Sequence, residues 1–432
     1  MSPTDTIPPS KPDVRTELVA GVTTFFTMAY IVVVNPLVLS TEGTGMPFSG
    51  VLTATVLVAF VMTLLMGVYA RLPFAVAPGM GLNAFFAYTL VLGRKVPWPV
   101  ALGLVFWAGV LFLLVSLTPL REAIARAIPR SLRTAAAAGI GVFLTFIGLK
   151  NAGVVAAHPA TFVTFGKLDH RALLMLLGLA VTVLLMKRKS PFAFLAGIFA
   201  VTLAAWALGD VRTPPSFFSA PDFRSVFLKL DPVGALRLSL LPAVVAVMFT
   251  DLFDSVSTFI GVSQASGMTD AAGQPRNLRE GLIVDSWATL GAGLAGSSPG
   301  TAYIESVAGI EMGGRTGLTS VFTAVCFLPC FFVAPLAAMV LPYATAAVLV
   351  LVGAFMFSSV ASIDFKRMED ALPAFLTVVL IPLTFSITQG ILWGFISHAG
   401  LYALAGRGRE VGRVMYALAL VSAGLLVVER FA

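Results

Sequence analysis

Charge is scarce in this chain. Only 11% of its 432 residues are Asp, Glu, Lys or Arg, against about 25% in ordinary soluble domains, whereas 58% are hydrophobic. So few charges cannot cover the surface of a globule of this size, which excludes a water-soluble protein and indicates lipid as the main solvent. The net charge is +7, but the basic residues lie in short runs between apolar stretches. Such runs are typical of membrane topology signals, not of nucleic-acid binding.

Cysteine, histidine and the common catalytic motifs are also scarce or absent. The two cysteines, Cys326 and Cys330, lie four residues apart in one apolar stretch, so no disulfide framework is expected. No His, Cys and Asp residues combine with metal-ligand spacing, and neither G-x-S-x-G nor G-x-x-x-x-G-K-[ST] occurs. We therefore predict no metal site and no cofactor.

What the chain has in abundance is apolar runs of membrane-spanning length. A bilayer core about 30 Å thick needs roughly 20 helical residues per crossing. Runs bounded by charges, Gly and Pro predict two sets of seven spans, separated by a polar, Pro-rich stretch. The predicted spans are 17–39, 51–71, 78–92, 98–118, 131–150, 169–187 and 191–208, then 236–261, 277–296, 300–312, 316–340, 343–361, 371–388 and 389–406. A last apolar run at 411–428 fits either a fifteenth crossing or an interfacial helix.

These runs predict an all-α polytopic membrane protein built from an inverted repeat. Because seven is odd, two successive sets of seven must face opposite ways in the membrane. Lys and Arg are about twice as frequent in the connections on the N-terminal side, which predicts a cytoplasmic N-terminus in the cell (inner or plasma) membrane. The predicted divisions are an N-terminal tail 1–16, a first repeat 17–208, an extracytoplasmic linker 209–235, a second repeat 236–406 and a C-terminal basic and apolar helix 407–432.

The third span of each set is short and begins with a Pro-Gly pair. The sequences are APGMGLNAFFAY at 77–88 and SPGTAYIESVAG at 298–309. Each is expected to enter as extended backbone ahead of Pro-Gly and to continue as a half-helix, because Pro lacks an N–H and Gly tolerates unusual dihedral angles. Unpaired backbone at this depth must face a ligand or a water-filled cavity. Matched short spans of this kind predict the midplane binding site of a transporter.

Few ionisable side chains fall inside the spans, and these are functional candidates because their burial is costly. Asp251 and Asp254 lie on one face of the eighth span, at i and i+3. Glu305 in the tenth span and Asn83 in the third follow their Pro-Gly pairs at nearly equivalent positions. Asp254 fits either a functional role or a structural bond to nearby hydroxyls. Asp285 in the ninth span is predicted to support the site.

Carboxylates, one carboxamide, free backbone groups and aromatic rings suit a flat, neutral ligand that is rich in N–H donors, such as a purine base. Because burial disfavours a charged carboxylate, proton uptake and base binding can stabilise the same state. The predicted substrate-binding residues are Asp251, Glu305, Asn83, Phe85, Tyr303, Ile304 and Ala84. The predicted proton-coupling residues are Asp251, Glu305, Asp254 and Asp285.

Five segments resemble one family of transporters. They are TELVAGVTTFFTMAYIVVVNP, APGMGLNAFFAY, FTDLFDSVSTFIGV, SSPGTAYIESVAGI and DALPAFLTVVLIPLTFSITQGI. This combination is similar to the azaguanine-type adenine/guanine/hypoxanthine permeases, a branch of the nucleobase:cation symporter-2 (xanthine/uracil permease) superfamily. The similarity runs from about Glu17 to Gly406.

The resemblance implies a core domain of spans 1–4 and 8–11 that moves against a gate domain of spans 5–7 and 12–14, often in a homodimer. It also implies proton symport of purines. Asp251 and Glu305 match the family's essential carboxylates, and Asn83 matches its polar residue in the third span. Uracil relatives carry a histidine where this chain has Ser255, so the identity of the proton carrier stays open, with Asp254 as a candidate.

Three alternatives compete with a proton-coupled purine carrier. A sodium-coupled carrier fits the same oxygen ligands. An intramembrane aspartyl hydrolase needs two aspartates that face each other from different helices, whereas Asp251 and Asp254 share one helix. An anion carrier of the same architecture is disfavoured because buried carboxylates repel anions. The sequence therefore predicts a transporter and not an enzyme, and it leaves the preferred purine open.

Overall fold

A computed structural model describes residues 13–118, 128–266, 268–269 and 276–431. The chain is mostly helical and forms fourteen membrane segments in two inverted sets of seven, as predicted. The first half contains α1 Val14–Met28, α2 Ile31–Leu39, α3 Phe48–Val68, α4 Met80–Ala84, α5 Trp98–Leu117, α6 Arg130–Asn151, α7 His170–Lys187 and α8 Ala193–Ala207. The second half contains α9 Leu241–Ser266, α10 Leu278–Ala295, α11 Ser306–Glu311, α12 Gly317–Phe327, α13 Ala334–Ala337, α14 Pro342–Ser358, α15 Met368–Thr384 and α16 Ile387–Leu404, followed by α17 Arg413–Phe431. The strands are β1 Val76–Pro78, β2 Val155–His158, β3 Phe162–Phe165 and β4 Gly300–Ala302.

Seven helical stretches of the described residues are long and apolar enough to cross a bilayer by themselves. They are Val14–Leu39, Phe48–Val68, Trp98–Leu117, Arg130–Asn151, His170–Lys187, Leu238–Ser263 and Pro342–Ser362. The remaining segments are shorter or less apolar, and two of them are the broken third and tenth spans. Short segments of this kind are stable only when neighbouring helices surround them.

Local sequence signals explain where several helices begin. Asp13 caps α1, because its carboxylate accepts the N–H groups of Arg15 and Thr16 at 3.3 Å. Asp169 caps α7 in the same way. Pro342 occupies the first turn of α14, where its missing N–H costs nothing.

The first span differs from its prediction as one continuous helix over 17–39. It consists of α1 and α2, with a break at Ala29 and Tyr30. Past the break the hydrogen bonds tighten, since the N–H of Val32 reaches the carbonyl of Ala29 at 3.1 Å. One turn further on, Pro36 has no N–H to donate back along α2.

The third and tenth spans contain the predicted extended stretches. In the third span, β1 ends at Pro78 and the helix begins at Met80, as expected. This helix continues as a π-helix over Phe85–Gly93.

In the tenth span the predicted order is wrong. Pro299 precedes the strand β4, and the helix α11 begins only at Ser306. The reason is the antiparallel pairing of the strands, in which Pro78 lies opposite Gly300. Both Pro-Gly pairs therefore lie at the same end of the ladder, where one chain leaves its strand and the other enters.

The helices pack into two groups. The first helix group contains α1–α5 and α9–α12, in which α12 packs on α1 and α3, and α10 packs on α3 and α5. The second helix group contains α6–α8 and α14–α16, in which α6 packs on α14 and α15, and α7 packs on α8. The two groups meet mainly where α4 contacts α6, α1 contacts α8, and α9 contacts α16. The division into a core and a gate domain, and their relative movement, stay predictions.

A short hairpin in the connection after α6 was not predicted. Strands β2 and β3 pair antiparallel, with Val155 opposite Phe165 and His158 opposite Phe162. Phe162 and Phe165 are exposed.

Candidate functional site

The two broken spans meet in the interior of the first helix group. The three residues of β1 pair with the three residues of β4, and all six are buried. Thr63 of α3 satisfies the free edge of β1, because its Oγ1 lies 2.9 Å from both the N–H and the carbonyl oxygen of Val76. Tyr303 donates its hydroxyl proton to the carbonyl oxygen of Pro78 at 2.5 Å. Backbone left open by the breaks is thus paired within this group.

Glu305 immediately precedes α11 and is half-buried. Its Oε1 accepts a hydrogen bond from the hydroxyl of Tyr30 at 2.6 Å, at the break between α1 and α2. The neighbouring Ile304, between β4 and α11 in the broken tenth span, is 61% exposed. Glu305 and Ile304 are therefore accessible to a ligand.

Asp254 is also half-buried and belongs to a chain of polar groups. The Oγ1 of Thr301 donates to Asp254 Oδ2 at 3.5 Å and lies 2.9 Å from the Oγ of Ser255. Ser255 in turn donates to Asp285, which is fully buried. Two hydroxyl groups thus lie between an accessible carboxyl group and a buried one, and the supporting role of Asp285 stays a prediction.

Asp251 is fully buried and lies beside α10 and β4. Its Oδ2 contacts the hydroxyl of Thr289, whose Oγ1 is also 3.0 Å from the carbonyl oxygen of Gly300. Thr289 has one proton to donate, so both contacts are hydrogen bonds only when Asp251 carries a proton. Direct contact between Asp251 and a substrate stays a prediction.

Asn83 is the fourth residue of α4 and does not cap that helix, which begins after Gly79. It is fully buried, its Nδ2 donates to Asn35 Oδ1 at 3.1 Å, and its Oδ1 has no hydrogen-bond partner among the described residues. Because Glu305 precedes its helix whereas Asn83 lies inside one, the two residues are not equivalent in the repeats. Asn35 was missed by the sequence reasoning, and its available signal was an Asn-Pro pair inside an apolar span.

The aromatic and small candidates lie deeper than expected. Phe85 and Ala84 are 1% exposed and Tyr303 is 4% exposed. The hydroxyl of Tyr303 is used between the two broken spans. Ring stacking on a substrate by Phe85 or Tyr303 stays a prediction.

The buried polar atoms of the site that have no hydrogen-bond partner among the described residues are acceptors. Among the described residues, no Lys or Arg forms an ion pair with Asp251, Asp254, Asp285 or Glu305, and the ion pairs lie elsewhere, as between Arg407 and Glu369. A buried acceptor cluster of this kind needs protons or the N–H groups of a ligand to compensate it.

Two inverted sets of seven spans, broken at matching positions around buried carboxyl groups, define a membrane transporter and not an enzyme. Comparison with known proteins agrees with this class. The xanthine/uracil permease model, described as a permease family, matches residues 15–392, so the chain belongs to this family.

Two relatives and one solved structure illustrate the similarity. The adenine permease AdeP of Escherichia coli is 41% identical over 408 residues, which cover 94% of this chain and 91% of that protein. The guanine/hypoxanthine permease PbuO of Bacillus subtilis is 39% identical over 427 residues, which cover 97% of each. The transmembrane domain of the cyanobacterial bicarbonate transporter BicA superimposes with a TM-score of 0.65 at 17% identity, covering 89% of this chain and 98% of that domain, and so shares the fold.

Proposed function

We propose that this chain is a secondary active transporter of purine nucleobases, driven by proton symport. The observation that carries the proposal is the cluster of acceptors at the broken spans, with Glu305 and Asp254 accessible and no basic side chain paired with them in the described structure. The printed names of the relatives, adenine permease and guanine/hypoxanthine permease, support the same substrate class.

The substrate part of the proposal follows from hydrogen-bond chemistry. A purine base is flat, neutral and has several N–H donors at its edge, and each donor to a carboxylate forms a charge-assisted bond. Glu305 and Asp254 supply the accessible acceptors, Asn83 supplies a carbonyl oxygen, and Ile304 supplies an apolar contact. Asp251, Ala84, Phe85 and Tyr303 belong to the same proposed site and are buried, as Asn83 is.

The coupling part follows from the hydroxyl chains. The two contacts of Thr289, with Asp251 and with Gly300, are both hydrogen bonds only when Asp251 carries a proton. The contact between Thr301 and Ser255 is likewise a hydrogen bond only when Asp254 or Asp285 carries one. Protons bound at these carboxyl groups and at Glu305 neutralise the negative charge of the carboxylates during transport. Each proton that crosses the membrane contributes about 2.3 kcal/mol per 100 mV of membrane potential.

Movement of the two helix groups against each other supplies alternating access in this proposal. The contacts between them include aromatic pairs, such as Phe26 with Phe192 at 4.5 Å and Phe249 with Phe395 at 5.7 Å between ring centroids. Apolar contacts can slide without the breaking of a buried ion pair. A cytoplasmic N-terminus, a location in the cell membrane and a homodimer complete the proposal.

The test is uptake of labelled adenine, guanine, hypoxanthine and uracil into proteoliposomes that contain the purified protein. An inward proton gradient, an inward sodium gradient and no gradient are compared in parallel. Accumulation of purines that requires the proton gradient and collapses with a protonophore supports the proposal. Accumulation driven by sodium alone contradicts proton coupling, and no uptake of any purine contradicts the substrate class.

A further inference from the structure

Asn35, in α2, is a buried polar group near the proposed site that makes four hydrogen bonds. It is fully buried and uses both ends of its amide. Its Nδ2 donates to Thr55 Oγ1 at 2.8 Å and to Ser297 Oγ at 3.0 Å. Its Oδ1 accepts from Asn83 Nδ2 at 3.1 Å and from Ser298 Oγ at 3.0 Å. Asn35 thus joins α2, α3, the third span and the entry to β4.

The orientation of the Asn35 amide follows from counting protons. Thr55 has one hydroxyl proton and donates it to the carbonyl oxygen of Val51 at 2.7 Å, which can only accept. Thr55 must therefore accept from Asn35, so the atom of Asn35 that faces Thr55 is the NH2 group. The oxygen of Asn35 then faces Asn83.

The same argument passes to Asn83. The atom of Asn83 that faces an acceptor must be its NH2 group, which leaves its Oδ1 on the other side. That oxygen is buried and has no hydrogen-bond partner in the part of the chain that the structure describes. A buried acceptor without a partner costs about 1–3 kcal/mol, which a ligand donor can recover.

We propose that Asn35 is a specificity-determining residue, because it fixes the Asn83 amide so that the site presents a carbonyl oxygen and selects a ligand N–H group there. The inference deepens the proposed function and rests on it for the ligand class. Asn35 acts through Asn83 and does not touch the ligand, so it is a positioning residue. A free Asn83 amide could rotate and accept either a donor or an acceptor from the ligand.

The test compares ligand pairs that differ in one hydrogen-bond donor. Suitable pairs are adenine with purine, which lacks the exocyclic amine, and hypoxanthine with its N7-methyl and N9-methyl derivatives. Their inhibition constants against uptake of a labelled purine are measured for the parent chain, Asn83→Leu and Asn35→Leu. The parent should discriminate roughly 10-fold or more at one donor position. Both variants should reduce that ratio below about 3-fold at the same position.

A milder variant guards against misfolding of Asn35→Leu. Thr55→Val removes the group that orients Asn35 but keeps the bond between Asn35 and Asn83, so the ratio should fall partially. Thr202→Val is the matched control, because Thr202 makes the same kind of bond to the carbonyl oxygen of Ile198 at 2.8 Å in α8, outside the site. It should leave the ratio unchanged.

An unchanged ratio in both Asn35→Leu and Thr55→Val, with weaker binding of all ligands by one common factor, overturns the inference and assigns Asn35 a structural role only. Failure of the proposed function is a different result, since the parent chain then takes up no purine. In that case the ratio is measured as thermal stabilisation of the purified protein by uracil and by its N-methyl derivatives, and the same comparison of variants decides the inference.

Discussion

The two helix groups solve the problem of burial in different ways. The first group carries three fully or almost fully buried acidic residues, Glu17, Asp251 and Asp285, and the buried amides of Asn35 and Asn83. The buried polar residues of the second group are hydroxyl residues and one histidine, namely Thr182, Thr345, Thr377, Ser386, Thr388 and His398. The difference indicates that a polar binding site in this membrane protein lies in the first helix group, where buried polar side chains are already present.

Broken spans explain the polarity of the first group. A continuous helix satisfies its own backbone, whereas a broken one needs side chains or a paired strand to do so. Thr63 and Ser306 bond to the backbone of β1 and its approach, and Glu17 accepts N–H groups at the start of α12. Once such polar groups are present, a polar ligand can also be bound there.

Close helix contacts occur in the second group as they do in the first. A Cβ at Gly141 in α6 would lie 2.5 Å from the carbonyl oxygen of Gly353 in α14, and a Cβ at Gly353 would lie 2.4 Å from that of Gly141. The backbones touch where these helices cross, as they do at Gly67 and Gly317 between α3 and α12 of the first group. Close packing is therefore common to both groups, and what sets the second apart is its lack of buried acidic and amide side chains among the described residues.

The largest expected effect concerns the first helix group and its accessible carboxylate, Glu305. Glu305→Gln keeps the shape of the side chain and a partner for Tyr30, but it removes the charge and the proton site. Uptake of purine into proteoliposomes should fall roughly 100-fold, as expected for the loss of charge-assisted hydrogen bonds.

The matched control is Glu311→Gln, at the exposed end of the same helix. It should change uptake less than about 2-fold, because an exposed carboxylate contributes little. Proton-driven accumulation at the parent level by Glu305→Gln would contradict the role proposed for this carboxylate.

The next effect concerns the boundary between the groups. Tyr30 holds Glu305 through its hydroxyl, and its ring packs on Phe194 of α8 at 4.9 Å between centroids. Tyr30→Phe should lower uptake roughly 10-fold, mainly by raising the KM, because it frees Glu305. Phe194→Leu should mainly lower the maximal rate, because it alters the contact between the groups.

A double-mutant cycle of Tyr30→Phe and Phe194→Leu tests whether the hydroxyl and the ring of Tyr30 act together. If site and movement are coupled through this side chain, the double variant should depart from additivity by about 0.5–1.5 kcal/mol. If the effects of the two variants add within about 0.3 kcal/mol, Glu305 and the movement of the helix groups are not coupled through Tyr30. The contrast between the two groups would then be weaker at their boundary.

A third prediction concerns the second helix group alone. Gly141→Ala forces α6 and α14 apart, so it should destabilise the protein by about 1–3 kcal/mol and lower the midpoint of thermal unfolding in detergent. Gly400→Ala in α16 is the control, since nothing lies within 4 Å of a Cβ there, and its effect should stay within about 0.5 kcal/mol. Equal midpoints for the two variants would show that the crossing is not tight.

The smallest effect concerns a polar contact at the edge of the second group. The hydroxyl of Tyr343 donates to Asp210 at 2.6 Å, beside His170, and this bond holds the pKa of Asp210 below its usual value. A carboxyl group whose pKa is lower when folded contributes stability above its unfolded pKa of about 3.9 and loses it as the pH falls through the folded value.

Tyr343→Phe should therefore lower the unfolding midpoint slightly at pH 7 and hardly at all near pH 2. Tyr69→Phe, at an exposed tyrosine, serves as the control and should show no dependence on pH. A deficit of Tyr343→Phe that is as large at pH 2 as at pH 7 would assign the effect to packing.

Much of the fold could be predicted from local sequence. Most helix bounds lie within a few residues of the apolar runs, and both broken spans were located from their length and Pro-Gly pairs. The break at Ala29 and Tyr30 and the order of strand and helix around Pro299 were missed. These features depend on partners far along the chain, such as Glu305 for Tyr30 and β1 for β4.

The candidate site was predicted in composition but not in arrangement. Asp254 and Glu305 are accessible, whereas Asp251 is buried against Thr289, although the i and i+3 spacing places both aspartates on one helical face. Spacing along one helix cannot show which neighbouring helix a side chain meets. The role proposed for Asn35 escaped notice for the same reason.

The sequence by itself determined the solvent, the number of segments and the family of this protein, because apolar length and charge scarcity are properties that each stretch of chain carries locally. Only the tertiary structure decided which carboxyl groups a ligand can reach and which end of the Asn83 amide stays free. Those outcomes depend on the direction of single hydrogen bonds. Asn35 donates or accepts such bonds with residues of three other segments, including Ser297 and Ser298 from the opposite repeat.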